Sequence, residues 1–496
     1  MSTLLIYAST LTTLLLAFIL TFVLPPRTYF APPLVPFTSN HTAPWSILHH
    51  LGGNGPWIPH TNSALTTDLH PPPNCRIDQI HLLSRHAARY PTHPSGIRML
   101  QLYHRLAHLN HTFTGPLSFI NTYNFFMPDP AARLENLVPV GPYAGTLQAF
   151  QTGTEMRTRY EELVLEAERR GQMTFWASGS RRVEESARYW AAGMWGLDWE
   201  QRARLEVVPE GTERGADTLT PGRTCMRYRE EDGGRIKGYK ALEEWMGTYL
   251  PRVGERLKGF EPEMHFTNVE LFTMQEMCGF EILAKGSSPW CDVFTMEEWD
   301  EFEYARDLLH YYRAGEGNIF GATMGWLFLN ATKDLLVQGP DAGLMFASFV
   351  HDGDLVPFLT ALDLFPQLRK LPTNHVMSNR TWRTSDVTPM GGRIILERLA
   401  CPAPQNCWSN EPYYPNHVYC DPVKDDVFVR VNVNDGIVAM SECQEGPGGS
   451  CPLERFVQHV KMRGRHNDDF RATCGLPEDA PDRIAFLKQP PRKDES

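Results

Sequence analysis

Leu82-Leu83-Ser84-Arg85-His86-Ala87-Ala88-Arg89-Tyr90-Pro91-Thr92 places two arginines and a histidine within five residues, directly after an apolar run. Arginine presents a planar fork of donors that matches a phosphate or a carboxylate. A histidine between two such forks stands where an anion would be held, so it could attack that anion as a nucleophile. In isolation the same residues describe a basic surface turn. The rest of the chain decides between the two readings.

The residues before the motif read as a strand. Arg76 to Ser84 carries Ile77, Ile80, Leu82 and Leu83, which predicts a buried strand ending at the cluster. Ile97 to Leu109 reads as the helix that follows. Ligands of open α/β sheets bind beyond the carboxyl ends of strands, where helix N-termini offer free N–H groups. The pattern recurs twice. Met173 to Ala177 predicts a short strand, Arg182 follows it, and Glu184–Trp195 reads as a helix. Leu344–Val350 predicts another buried strand, ending in His351-Asp352, with Leu355–Leu364 as helix.

If these strands are neighbours, one pocket holds Arg85, Arg89 and Arg182 with His86, His351 and Asp352. Three guanidiniums suit a dianionic phosphate. His86 can attack phosphorus, and Asp352 can protonate the leaving alcohol and then activate water. That route to phosphomonoester hydrolysis needs no metal and no cofactor. Taken singly, Arg182 reads as a surface ion-pair partner and Asp352 as a helix cap. The conjunction favours chemistry.

The chain of 496 residues is long enough for two domains or one domain with a large insertion. Its net charge of −11 excludes a basic nucleic-acid footprint. Leu4 to Leu24 is apolar and uncharged, about the length of a bilayer span, and residues 1–24 read as a signal peptide or a signal anchor. Residues 25–45 read as a linker. A lumenal address makes the sequons at Asn40, Asn110, Asn330 and Asn379 candidate glycan sites. Ten cysteines, an even number, fit a disulfide framework in a secreted or cell-surface protein, although composition leaves the pairing open.

From 46 to 115 we expect the first part of an α/β domain, and from 336 to 475 its second part. Between them, 116–335 reads as a mostly helical cap that returns to the α/β core around 173–195. Residues 143–171 read as helical, as do Tyr239–Leu257, Asn268–Ala284, Glu297–Tyr312 and Met324–Leu336. Arg393–Leu399 and Val427–Val433 read as strands, and 476–496 as a flexible tail. The glycines of Gly52-Gly53-Asn54-Gly55 lack the lysine and hydroxyl residue of a phosphate loop, so a packed turn is expected there.

Arg85-His86-x-x-Arg89-x-Pro91 with the later His351-Asp352 resembles the histidine acid phosphatase family, in its fungal secreted acid phosphatase and phytase branch. Asp217–Cys225, Met277-Cys278-Gly279-Phe280, Ser288–Thr295 and Tyr311-Tyr312 resemble further signatures of that branch, and the likeness spans roughly residues 45–475. The resemblance implies a sandwich-type α/β domain with a mainly parallel central sheet, phosphoglycerate-mutase-like, under a mostly helical cap. It implies His86 as nucleophile and Asp352 as proton donor. Arg85, Arg89, Arg182 and His351 are implied as phosphate ligands. It implies disulfides Cys75–Cys401, Cys225–Cys474, Cys278–Cys291 and Cys443–Cys451, with Cys407 and Cys420 pairing by subtraction. The substrate implied is a small phosphate monoester, phytate among the candidates.

Two departures stand out. The family usually has glycine where this chain has Ala87, and a backbone needing positive φ there would be strained by alanine. Branch phytases often follow the motif with lysines, whereas His93-Pro94-Ser95-Gly96-Ile97-Arg98 has none. A rim so poor in charge favours general phosphomonoesters over inositol hexakisphosphate. The competing reading is a non-enzymatic phosphate-binding cell-surface protein with an impaired site, for which Ala87 is the support.

Overall fold

The computed structural model describes residues 45–403, 407–408, 419–420 and 425–489. The apolar run Leu4–Leu24, most of the linker, the Asn40 sequon and the chain after Gln489 lie outside the described residues.

A mixed sheet forms the centre. Strands β1 (Arg76–Arg85), β2 (Thr174–Ser178), β3 (Arg204–Val208) and β4 (Met345–Val350) run parallel in the order β1-β4-β2-β3. On the other side of β1 the sheet turns antiparallel through β5 (Arg393–Pro402). Two short strands, β6 (Cys407–Trp408) and β7 (Tyr419–Cys420), form a separate pair. β8 (Asp425–Val433) then pairs with β5, and β9 (Gly436–Val438) and β10 (Cys451–Pro452) pair with β8. The expected parallel sheet is therefore the half that carries the motif, and the other half is antiparallel. β3 was not expected, since the sequence reading gave its residues to the cap.

Alternation explains why both faces are covered. Leu83, Trp176, Phe346 and Val350 enter one core, and Ile80, Leu82, Phe175, Ala177, Met345, Ala347 and Phe349 enter the other. The helix α1 (His93–Ala107) follows β1. The smaller core is closed by α2 (Gly145–Arg159), α3 (Glu161–Arg170) and α4 (Arg181–Trp195), through Met156, Leu163, Ala187 and Trp190. The larger core joins the sheet to α5 (Gly234–Lys258), α6 (Asn268–Lys285), α7 (Met296–Ala314) and α8 (Gly321–Gln338). Thr267 with Glu270, and Thr295 with Glu298, form capping boxes that fix where α6 and α7 begin. The helix α9 (Asp352–Ala361) follows β4, and α10 (Leu453–Gly464) follows β10.

The 143–171 helix is two helices, broken at Tyr160, whose hydroxyl donates to buried Glu397 at 2.6 Å. The tail is also more ordered in its first part than expected. Leu487 is buried, and the Gln489 amide donates to the carbonyls of Thr174 and Met345, so the chain is seated on the sheet as far as Gln489. Disulfides join Cys75–Cys401, Cys225–Cys474, Cys278–Cys291 and Cys443–Cys451. Cys407 and Cys420 stand opposite each other in the β6–β7 pair, but their side chains lie outside the described residues.

Candidate active site

The three strand ends named from sequence lie side by side, because β4 pairs with both β1 and β2. The two later helices start earlier than their hydrophobic periodicity suggested. α4 begins at Arg181 and α9 at Asp352, so Arg182 and Asp352 both sit in first turns that face the pocket.

Buried Arg85 is fixed by two carbonyls. Its Nη1 donates to Gly53 O at 2.6 Å and to Thr388 O at 2.7 Å. The expected packed turn at Gly52–Gly55 therefore has a specific task, and a Cβ on Gly53 would lie 3.2 Å from that Nη1. The Nη2 of Arg85 lies 3.3 Å from Asp352 Oδ2. Arg89 Nη1 donates to Tyr90 O at 2.8 Å, and its Nε lies 3.4 Å from His86 Nε2. Arg182 Nη2 lies 3.2 Å from His351 Nδ1, and the His86 and His351 rings meet edge to face at 5.8 Å. All six residues singled out from sequence are thus brought together.

The state of His86 follows from its neighbours. Its Nδ1 is 2.9 Å from Ala87 O, which can only accept, so Nδ1 carries the hydrogen and Nε2 keeps its lone pair. Burial, followed by the charges of Arg85, Arg89 and Arg182, holds its pKa well below 6.5. The surroundings therefore disfavour the charged imidazolium. Burial also lowers the Arg85 and Arg89 guanidiniums, to about 10 and about 9, which leaves both charged below neutral pH.

Asp352 is placed between two guanidiniums. Burial pushes its carboxyl up, but Arg85 and Arg313 override burial and hold it well below its ordinary value. Without a bound anion it is a carboxylate. A phosphate dianion among the arginines would offset their field and let Asp352 hold a proton.

Sequence reasoning missed two partners. Arg313 Nη2 donates to Asp352 Oδ1 at 3.1 Å. It lies beside the quoted Tyr311-Tyr312 pair, which was the available signal. Glu210 Oε1 lies 2.8 Å from His351 Nε2. Arg182 donates to Nδ1, so Nε2–H donates to Glu210 and the tautomer is fixed. Burial opposes ionisation of Glu210, yet its hydrogen bond from His351 draws it down to about 2. No signal in the chain marked Glu210, because β3 just before it was not recognised.

Ala87 does not stand at positive φ, so the expected strain is absent. Its N–H donates to Ser186 Oγ at 2.9 Å, and it is buried with Leu137 and Ala149. Arg98 Nη2 is tied to Glu276 at 2.9 Å, so the one fixed charge of the 93–98 segment is neutralised.

Relatives named as acid phosphatases and phytases place the protein among phosphoric monoester hydrolases. The chain belongs to the histidine phosphatase superfamily, branch 2, whose family model matches residues 76–434. It is 32% identical over 447 residues to Phytase PHO112 of Candida albicans, covering 89% of this chain and 90% of that protein. It is also 32% identical over 452 residues to Acid phosphatase PHO1 of Komagataella pastoris, covering 90% of each. A crystal structure of the phytase from D. castellii superposes with a TM-score of 0.79 at 28% identity, over 91% of this chain and 93% of that one.

Proposed function

We propose that this chain is an acid phosphatase of the secretory pathway that hydrolyses phosphate monoesters through a phosphohistidine intermediate. The observation that carries this reading is His86, whose Nδ1 is tied to Ala87 O and whose unprotonated Nε2 faces Arg89 within a cluster of three guanidiniums. An acid phosphatase needs a nucleophile that resists protonation, and burial with the field of these guanidiniums acts in that direction on His86.

The roles follow from position. Arg85, Arg89, Arg182 and His351 grip the phosphoryl oxygens. His86 Nε2 attacks phosphorus, and the bond to the ester oxygen breaks. Asp352 gives its proton to that oxygen, and the alcohol leaves. The Asp352 carboxylate then takes a proton from water as the water attacks phosphorus. The P–N bond breaks, its electron pair returns to Nε2, and phosphate is released.

The rim supports general phosphomonoesters over phytate, since the 93–98 segment offers no lysine and Arg98 is neutralised. Four disulfides and exposed sequons at Asn110 and Asn379 support a lumenal route. Asn330 lies within α8, and its amide oxygen accepts from Lys333 at 2.9 Å. No described helix is long and apolar enough to cross a membrane.

The test is phosphate release from an aryl phosphate and from phytate across acidic to neutral pH, with alkaline-quench trapping of labelled enzyme. We expect acid-labile phosphate on His86, and faster turnover of the aryl ester. No release from either substrate would turn the reading to a phosphate-binding protein. Mass analysis of the secreted N-terminus and of glycopeptides tests the route.

A further inference from the structure

The segment opposite the motif carries a carboxylate at the mouth of the phosphate pocket. Glu135 Oε2 lies 3.7 Å from Arg182 Nη1, too far for a direct hydrogen bond and close enough for its charge to act there. Its side chain is 46% exposed, so the carboxylate faces the solvent that an incoming substrate crosses. It is not a loose surface group. Its backbone stands at φ 67°, a left-handed conformation that glutamate rarely adopts.

The motif itself fixes that conformation. The Glu135 N–H donates to Pro91 O at 2.9 Å, and Tyr90 N–H donates to Asn136 O at 2.9 Å. One carboxylate oxygen, Oε1, accepts from His93 N–H at 3.2 Å. The other is left toward Arg182. The same charge also acts on Arg89, as one of the groups that keep its guanidinium protonated. A carboxylate that serves only to close an ion pair would sit in contact with its partner. This one is held back by the His93 N–H on its Oε1 and by its own N–H on Pro91 O.

We propose that Glu135 is a specificity-determining residue that rejects substrates with a second anionic group beside the scissile phosphate. The inference rests on the phosphatase reading and deepens it. The cradle of Arg85, Arg89 and Arg182 takes one dianion, and a further phosphate on an adjoining carbon meets the Glu135 carboxylate. Arg98, the fixed cation nearby in sequence, is already bound to Glu276 and offers no compensation. Esters of uncharged or cationic alcohols meet no such repulsion. This is discrimination by a repulsive element, added to the attractive one that grips phosphate.

The test compares kcat/KM for p-nitrophenyl phosphate and for phytate at one fixed acidic pH, in wild type, Glu135→Gln and Glu135→Lys. Glutamine keeps an oxygen for His93 N–H and removes the charge. The phytate-to-aryl ratio should rise about tenfold in Glu135→Gln and further in Glu135→Lys, and added salt should shrink the difference. An unchanged ratio, or an equal fall on both substrates, overturns the proposal and leaves Glu135 a structural residue. Loss of the phosphatase reading is told apart by wild type, which would then turn over neither ester. In that event binding of phytate and of inorganic phosphate, followed by calorimetry, decides. Equal relative affinities in wild type and Glu135→Gln overturn the proposal there too.

Discussion

The Arg313 guanidinium stands 3.1 Å from Oδ1 of Asp352, on the opposite side of the carboxyl from Arg85. Two cations therefore hold this acid in its ionised form until an anion arrives. Replacing Arg313 by glutamine removes one of them and raises the carboxyl pKa. The alkaline limb of the kcat/KM profile should then move up by about one pH unit, with a loss of about tenfold at the acid optimum. A pH–rate profile of Arg313→Gln checks this, and an unmoved limb would assign Arg313 a purely structural role.

Removing the proposed nucleophile and removing the proposed acid should leave different traces. His86→Ala should lose roughly a thousandfold or more in kcat, with no labelled phosphoenzyme. Asp352→Asn should lose about 10²–10⁴-fold, most of all on esters with poor leaving groups. Rapid-quench labelling with an activated aryl ester separates them, since a good leaving group needs little help from the acid.

Ala87→Gly restores the residue usual in the family, but it should not improve the enzyme. The backbone is not at positive φ, and the residue is buried with Leu137 and Ala149. Glycine removes that packing and adds freedom to the unfolded chain. We expect a stability loss of about 1–2 kcal/mol in urea unfolding, with kcat changed by less than about twofold. A several-fold gain in kcat would show that alanine obstructs His86 after all.

Asp386 should make the protein lose stability as pH rises. Burial pushes its carboxyl up to about 6 from 3.8, against the hydrogen bond from Asn62 at 2.8 Å. The folded state holds the proton more tightly than the unfolded one. The contribution is therefore fully present below 3.8 and is lost as pH rises through about 6. Wild type should fall by roughly 2–3 kcal/mol relative to Asp386→Asn between pH 4 and pH 7. Urea midpoints at both pH values measure the difference, and parallel curves would refute it.

Local pattern carried the strands that matter. β4 read correctly because its run is apolar on both faces, and β1 because Ile77, Ile80, Leu82 and Leu83 mark it as buried. Helices α6 and α7 read to within a residue or two, since Thr267 and Thr295 announce their starts. β3 did not read as a strand, because Arg204 and Glu206 interrupt its apolar run at the sheet edge. The break at Tyr160 was equally silent, because a hydroxyl bond to Glu397 crosses 237 residues of chain.

The sequence by itself determined which groups are candidates for the chemistry. Arg85, His86, Arg89, Arg182, His351 and Asp352 each follow a run whose periodicity ends at that point, and a strand end is a local property. Only the tertiary structure decided how those groups are tuned. Arg313 and Glu210 arrive from α7 and from the residues after β3, and set the charge of Asp352 and the tautomer of His351. Glu135 comes to the mouth of the pocket through a bridge between Leu137 and Arg89. Electrostatic influence falls with distance in space and takes no account of separation along the chain, so no local pattern could announce them.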